Sequence, residues 1–295
     1  MKKAYGIIPP LITPFERDGL LSADSLINIL DFIERYVHGV FICGTYGQGP
    51  MMSLDLRKKV AETVIEHVKG KLNTIVHVGS ADTLTSVELA RHAEDIGANA
   101  VASVPPYYYA HSEDAIISHY SRLLESVSIP VYVYNNPARV GYPIRPSLIS
   151  KLYSIGVKGV KDSSFDLINF ISYKLNTGED FDVIIGTEGL ILPGYVLGAR
   201  AFIAGMSNYL PEVVHELFKS CEEGKLEKAR ELQFKVNRIR ERVHMLGSPI
   251  AVSYAVLHER GVDAGYPRPP FSLPERKRVR ELLSWIESYL KIKLF

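Results

Sequence analysis

Cysteine is nearly absent from this 295-residue chain: only Cys43 and Cys221 occur. Two distant cysteines make no disulfide framework, so the composition fits a reducing cytoplasm. There is no CxxC and no HExxH pattern, so no metal site is readable from the sequence. No apolar run reaches the ~18 residues of a membrane span. The segment Met1-Lys2-Lys3-Ala4-Tyr5 lacks the apolar core and small-residue cleavage site of a signal peptide. Charge excess is missing too. Lysine plus arginine number 34 and aspartate plus glutamate 33, a formal net charge of +1. That balance disfavours nucleic acid or an anionic membrane as a partner held by bulk electrostatics. Glutamine is confined to Gln48 and Gln233, and cysteine and methionine are scarce, a profile in keeping with a heat-adapted protein.

What is present is apolar sequence in short, punctuated runs. A hydrophobic fraction of 46% allows a large buried core. The length suits one large domain or two ordinary ones, and α/β barrels run this long as single domains. Strand-like runs are expected at 6–15 (bending at Pro9-Pro10), 39–43, 74–78, 100–104, 130–134, 155–160, 182–185 and 201–204. Helical patterns are expected at 23–37, from Ser53 onward, and at 83–96, 112–127, 145–154, 165–175 and 190–197. The strands are mostly continuous apolar runs, as parallel strands buried on both faces are. Eight strand–helix units predict a (β/α)8 TIM barrel rather than an open sheet, since no Gly-rich dinucleotide loop follows the first strand. Four helices without intervening strands follow, at 212–221, 226–246, 249–260 and 274–291. We expect a barrel catalytic domain at 1–224 and a C-terminal helical extension at 225–295, with no independent second domain.

In such barrels the active site gathers at the carboxyl ends of the strands. There the sequence puts Pro10, Gly44-Thr45-Tyr46-Gly47, Tyr107-Tyr108-Tyr109, Tyr134-Asn135, Lys161-Asp162, Gly186-Thr187-Glu188 and Gly205. Lys161 is the centre. Burial disfavours a charged amine and lowers its pKa, and a neutral amine can attack a carbonyl to form a Schiff base. Lys158 is a competing candidate, and either lysine could simply snorkel to the surface. Backbone N–H groups of the 44–49 turn could hold a carboxylate, or the turn could be only a turn. A Tyr134 hydroxyl beside a neutral lysine could shuttle a proton, or Tyr134 could be barrel filler. The three tyrosines read as packing or a subunit contact. Arg139 reads as a surface charge or an anchor for an anionic substrate. Glu188 reads as a cap for the helix after it, and Asp162 as a partner for local backbone donors. Gly186 to Gly189 is a partial match to a phosphate loop.

The combination is more specific than its parts. G-T-x-G after the second strand, Y-N-x-P after the fifth and G-V-K-D at the sixth resemble the pyruvate-dependent, Schiff-base class I aldolases typified by dihydrodipicolinate synthase and N-acetylneuraminate lyase. The resemblance covers nearly the whole chain. Pro105-Pro106-Tyr107-Tyr108-Tyr109, the 207–212 and 232–234 segments, Gly265-Tyr266-Pro267-Arg268-Pro269-Pro270 and Gly47-Gln48-Gly49-Pro50 resemble the archaeal 2-keto-3-deoxygluconate aldolase branch.

That resemblance implies a lyase that reversibly cleaves 2-keto-3-deoxy-gluconate-type acids to pyruvate and glyceraldehyde. It implies no cofactor beyond the covalent imine on Lys161 and no metal. Tyr134 would relay protons, Thr45 would be catalytic alongside it, and Tyr108 would reach a neighbouring subunit's site in a homotetramer. Substrate contacts are implied for Pro10, Thr45, Tyr46, Arg139, Ser163, Gly186, Glu188, Gly205 and Ser248, with Gly186 and Gly205 letting backbone approach the substrate. Tyr46 departs from the usual second hydroxyl residue of the GTTG-like loop. Arg139 matches the dihydrodipicolinate synthase pattern, which condenses pyruvate with aspartate semialdehyde, and keeps that reaction as the alternative. The positions that hold phosphate in relatives fall at 110–111, Asn136 and His244, which implies an unphosphorylated substrate.

Overall fold

The protein was analysed as a computed structural model describing residues 3–294. Strands β1 (Gly6–Ile8), β2 (Gly39–Ile42), β3 (Asn73–His77), β4 (Ala100–Ser103), β5 (Val131–Asn135), β6 (Gly159–Asp162), β7 (Asp182–Ile185) and β8 (Ala201–Ile203) form one parallel sheet in the order β1-β8-β7-β6-β5-β4-β3-β2. Backbone bonds from His38 N to Ile7 O (2.8 Å) and from Phe41 N to Pro9 O (2.9 Å) join β1 to β2 and close the ring. This is a (β/α)8 TIM barrel.

The first strand is shorter than its apolar run. It stops at Ile8 because Pro9 and Pro10 offer no N–H to a ladder. Beyond it only the Pro10–Phe41 bridge is parallel, and Phe15 pairs antiparallel with Leu21 and Tyr266. The sixth strand begins at Gly159, not Ile155. Ile155 is exposed, and Gly156 has φ +115°, a left-handed turn that ends the preceding helix.

The helices between strands are α1 (Ala23–Ile33), α2 (Leu54–Val68), α3 (Thr83–Asp95), α4 (Glu113–Ser126), α5 (Pro137–Val140), α6 (Pro146–Ser154), α7 (Leu167–Asn176), α8 (Ile191–Val196) and α9 (Pro211–Glu222). Local caps start several of them: Ser53, Asp82, Ser112 and Asp166 each accept a backbone N–H from the first turn. The four-residue α5, opened by Pro137, lies where only a loop was expected.

Strand periodicity divides the apolar residues into two cores. Val40, Ile42, Val131, Val133 and Val160 point outward and pack under the helices. Phe41, Ile75, Ala102, Tyr132, Tyr134 and Ile184 point inward and fill the barrel. The C-terminal helices α10 (Leu226–Leu246), α11 (Pro249–Glu259) and α12 (Arg276–Leu290) pack on α9 and on one another. Their apolar residues Ala229, Val236, Ile239 and Val243 belong to the same core as Leu217 and Phe218 of α9, so packing is continuous across residue 224.

Candidate active site

Alternation places the lysine. Val160 is turned out to the helices, so its neighbour Lys161 must turn into the barrel. Gly159, two residues earlier, makes room for Tyr132: a Cβ there would lie 2.5 Å from the Tyr132 ring and 2.5 Å from the Asp182 carbonyl. Lys161 is 3% exposed. Its Nζ lies 3.6 Å from the centroid of the Phe41 ring and 3.7 Å from that of Tyr134. Gly44 leaves space for the Phe41 ring, which a Cβ would meet at 2.6 Å. Lys158 precedes β6 at the amino end of the strand, the opposite end of the barrel from the site.

The Tyr134 hydroxyl is held from two sides. It lies 3.2 Å from Thr45 Oγ1 and accepts the Asn136 amide at 2.8 Å. Asn136 also reaches Thr45 Oγ1 at 3.4 Å. Its part in this triad was not foreseen; the Y-N-x-P motif carried no hint that the second asparagine folds back onto the tyrosine. Behind Tyr134, His77 packs edge-on at 5.6 Å, and its Nδ1 is bonded to the Cys43 carbonyl at 3.1 Å.

Charge follows from this packing. Burial lowers the Lys161 pKa, and the neighbouring Tyr134 phenol resists that shift. Burial alone would raise Tyr134, but the Lys161 charge and the Thr45 hydrogen bond outweigh it and the phenol is lowered. Burial, then the Arg57 and Lys161 charges, push His77 well below its ordinary value, so its ring is neutral. The amine and the phenol are thus drawn toward each other in acidity, as a proton-exchanging pair requires.

The turn after β2 supplies donors. Gln48 N bonds Thr45 O at 3.2 Å and Gly49 N bonds Gly44 O at 3.1 Å. Among the described residues, no hydrogen bond uses the N–H of Thr45 or Tyr46. Gly49 is required by crowding: a Cβ would meet the Cys43 carbonyl at 1.9 Å.

The other expected positions divide. Gly205 leaves room for a neighbouring side chain. Its free side is taken by the Tyr46 phenol, which a Cβ would meet at 2.5 Å. Gly186 is likewise filled, by Ser163 Oγ at 2.1 Å and the Asp162 carbonyl at 2.8 Å from a built Cβ. Glu188 is not the cap: Thr187 accepts the Gly189 N–H instead. Glu188 is buried and meets Arg240 of α10, with Arg240 Nε 3.4 Å from Glu188 Oε1. Burial and the Glu188 charge raise the Tyr46 pKa, while Arg240 and Arg139 oppose them, so these charges share one neighbourhood. Arg139 is exposed on α5.

Asp162 meets its local donors, accepting Ser164 N at 3.2 Å and Asn135 Nδ2 at 2.7 Å. The Pro10 carbonyl accepts Asn208 Nδ2 at 3.0 Å, and Asn208 Oδ1 accepts Ile12 N at 3.1 Å, so the turn after β8 is bolted to the segment that follows β1. Tyr108 is 86% exposed at φ +79°, stacked edge-on against Tyr109 and away from this chain's own lysine. Ser248 sits half-buried at the start of α11 with no capping bond, and nothing described brings it to Lys161. No group of three or more metal-ligating side chains occurs among the described residues, and no described helix is long and apolar enough to cross a membrane.

Comparison with known proteins gives the family. Residues 3–288 match the family model described as the dihydrodipicolinate synthetase family. The chain belongs to that family. Its relatives include the 4-hydroxy-tetrahydrodipicolinate synthase of Methanopyrus kandleri, 34% identical over 94% of this chain and 93% of that protein. Among solved structures, KD(P)GA from T. tenax is 31% identical with a TM-score of 0.88, covering 98% of this chain and 100% of its own. A Ruminococcus gnavus sialic acid aldolase is 28% identical with a TM-score of 0.92, covering 97% of each chain. The family is one of lyases and synthases of the pyruvate-dependent class I aldolase kind.

Proposed function

We propose that this protein cleaves 2-keto-3-deoxy-gluconate-type acids reversibly to pyruvate and glyceraldehyde, through an imine on Lys161. The observation that carries the reading is the buried Lys161 amine at the carboxyl end of β6, between the Phe41 and Tyr134 rings. Neutral Lys161 attacks the keto carbon, and Tyr134 moves the protons by which the carbinolamine loses water. The protonated imine is then the electron sink. Tyr134 takes the proton of the C4 hydroxyl, the C3–C4 bond breaks, and its electrons form the enamine while the aldehyde leaves. Proton return to C3 and attack of water release pyruvate. The Thr45 and Tyr46 N–H groups hold the pyruvyl carboxylate. No metal or separate cofactor enters this sequence.

Two features support a polyhydroxy aldehyde. Glu188 is a buried carboxylate paired with Arg240 near Tyr46, with acceptor capacity left for substrate hydroxyls. Asn136, one of the phosphate positions of relatives, has its amide committed to Tyr134, which favours the unphosphorylated acid. Dihydrodipicolinate synthase activity is the second reading, favoured by Arg139, whose charge is felt at Tyr46, and by relatives such as the Methanopyrus 4-hydroxy-tetrahydrodipicolinate synthase. The exposed Tyr108 fits a contact to a neighbouring subunit, in a homotetramer. The buried free cysteines Cys43 and Cys221 fit a reducing cytoplasm.

The test is mass. Incubation with pyruvate and borohydride should add one pyruvyl group on Lys161, and Lys161→Ala should remove it; an adduct that survives in that variant overturns the reading. With pyruvate present, glyceraldehyde should then outpace aspartate semialdehyde as acceptor, and the reverse order establishes the second reading.

A further inference from the structure

The turn that carries Thr45 is held by the helical extension through one side chain. Gln48 is 2% exposed and sits at φ +56°, a left-handed conformation unusual for glutamine. Its amide is satisfied at both ends. Nε2 donates to Tyr254 Oη of α11 at 2.8 Å, and that hydroxyl donates to the Thr13 carbonyl at 2.7 Å. Oε1 accepts Arg268 N, in the 265–270 connector, at 2.9 Å. Arg268 also donates from Nη1 to the Met51 carbonyl at 2.8 Å. The same residue's backbone closes the turn, with Gln48 N on Thr45 O at 3.2 Å. Thr45 Oγ1 in turn lies 3.2 Å from Tyr134 Oη. An unbroken path of hydrogen bonds therefore runs from α11 to the phenol beside Lys161.

We propose that Gln48 is a positioning residue: through it α11 and the 265–270 connector set the turn that presents the Thr45 hydroxyl to Tyr134. This rests on the reading of Lys161 as the imine-forming amine. A buried polar side chain bonded at both ends rigidifies what it joins. The strained backbone of Gln48 is held by those bonds. Gly47 fixes the other side of the turn, since a Cβ there would meet the Leu11 carbonyl at 2.8 Å. Releasing Gln48 lets the turn pivot about Gly47, which carries Thr45 off the phenol. A displacement of about 1 Å lowers rates by about 10²-fold in well-ordered sites.

The experiment measures the rate of borohydride-trapped imine with pyruvate, alongside the thermal midpoint, for the wild type, Gln48→Met, Tyr254→Phe and the double variant. Tyr254→Phe removes the same bond from the α11 side without touching the turn. Each single variant should trap at least tenfold more slowly while keeping a cooperative melt, and the double variant should be no slower than the worse single, because both remove one link. Trapping within twofold of wild type in either variant, or losses that multiply in the double, overturns the proposal. If Gln48→Met does not fold, Gln48→Glu takes its place. It keeps the acceptor for Arg268 N and loses the donor to Tyr254, so it should show the same slowing as Tyr254→Phe. Absence of any adduct in the wild type would instead remove the reading of Lys161.

Discussion

Tyr134 and Lys161 are register partners on β5 and β6, and the lysine nitrogen lies over the face of the tyrosine ring, 3.7 Å from its centroid. The phenol oxygen is bonded to Thr45 and Asn136. The ring thus packs the amine into its apolar slot, and the hydroxyl handles protons. Removing the oxygen alone separates these two jobs. Tyr134→Phe should keep the slot and still reach a full pyruvate adduct at long times, but the trapping rate and the turnover should both fall, turnover by about 10²- to 10⁴-fold, the usual worth of a positioned acid–base group. Single-turnover trapping compared with steady-state cleavage checks this.

The hydrogen bond from Thr45 should be visible in the pH profile. It is one of the causes that hold the Tyr134 pKa down against burial. Thr45→Val removes that cause, so the Tyr134 pKa rises, and the limb of the kcat/KM profile that reports the phenol moves to higher pH. Thr45→Ser keeps the hydroxyl and should leave the limb in place. Equal limbs in Thr45→Val and the wild type would remove Thr45 from the relay.

The barrel was legible because its strands are continuous apolar runs with turn residues at their ends, and the same alternation that turns Val160 outward turns Lys161 inward. Thr45 and Tyr134 were legible as types at strand ends. Partners brought from far along the chain were not. Arg240 reaches Glu188 from the extension, and Tyr254 reaches Gln48 across 206 positions. No local pattern announces such pairs. The glycines were legible only in part, for a related reason. Gly205 and Gly186 mark close approaches, but a sequence does not say whether the approaching group is ligand or protein, and here it is Tyr46 in one case and Ser163 in the other.

That distinction gives the two glycines different consequences. At Gly205 an added Cβ meets the outer end of a phenol, 2.5 Å from Tyr46 Oη. The end of a side chain can shift where backbone cannot. Gly205→Ala should therefore fold and trap pyruvate normally, while KM for the aldehyde rises. At Gly186 the Cβ also meets the Asp162 carbonyl, which is backbone and is held by Gly186 N at 2.8 Å. Gly186→Ala should destabilise by about 1–3 kcal/mol, as overpacking of a well-filled interior does. Thermal midpoints and aldehyde saturation curves of the two variants distinguish the outcomes.

Acid stability should depend on a histidine outside the site. His119 of α4 is buried, with Thr83 Oγ1 3.0 Å from Nδ1 and Ser103 Oγ 3.2 Å from Nε2. Burial pushes its pKa down to about 4, with His111 adding to the shift and the Asp82 charge opposing it. In the unfolded chain an ordinary histidine titrates near ~6.5. Between about pH 6.5 and pH 4 the unfolded state therefore binds more protons than the folded one, so stability falls as pH falls through that window. Above it the ring is unprotonated in both states, and below it both are protonated. The shift corresponds to about 3 kcal/mol lost across the window. His119→Gln keeps donor and acceptor atoms but cannot titrate. Its thermal midpoint should drop less between pH 7 and pH 4.5 than that of the wild type, and equal drops would assign the acid sensitivity elsewhere, with the neutral His77 the next group to replace.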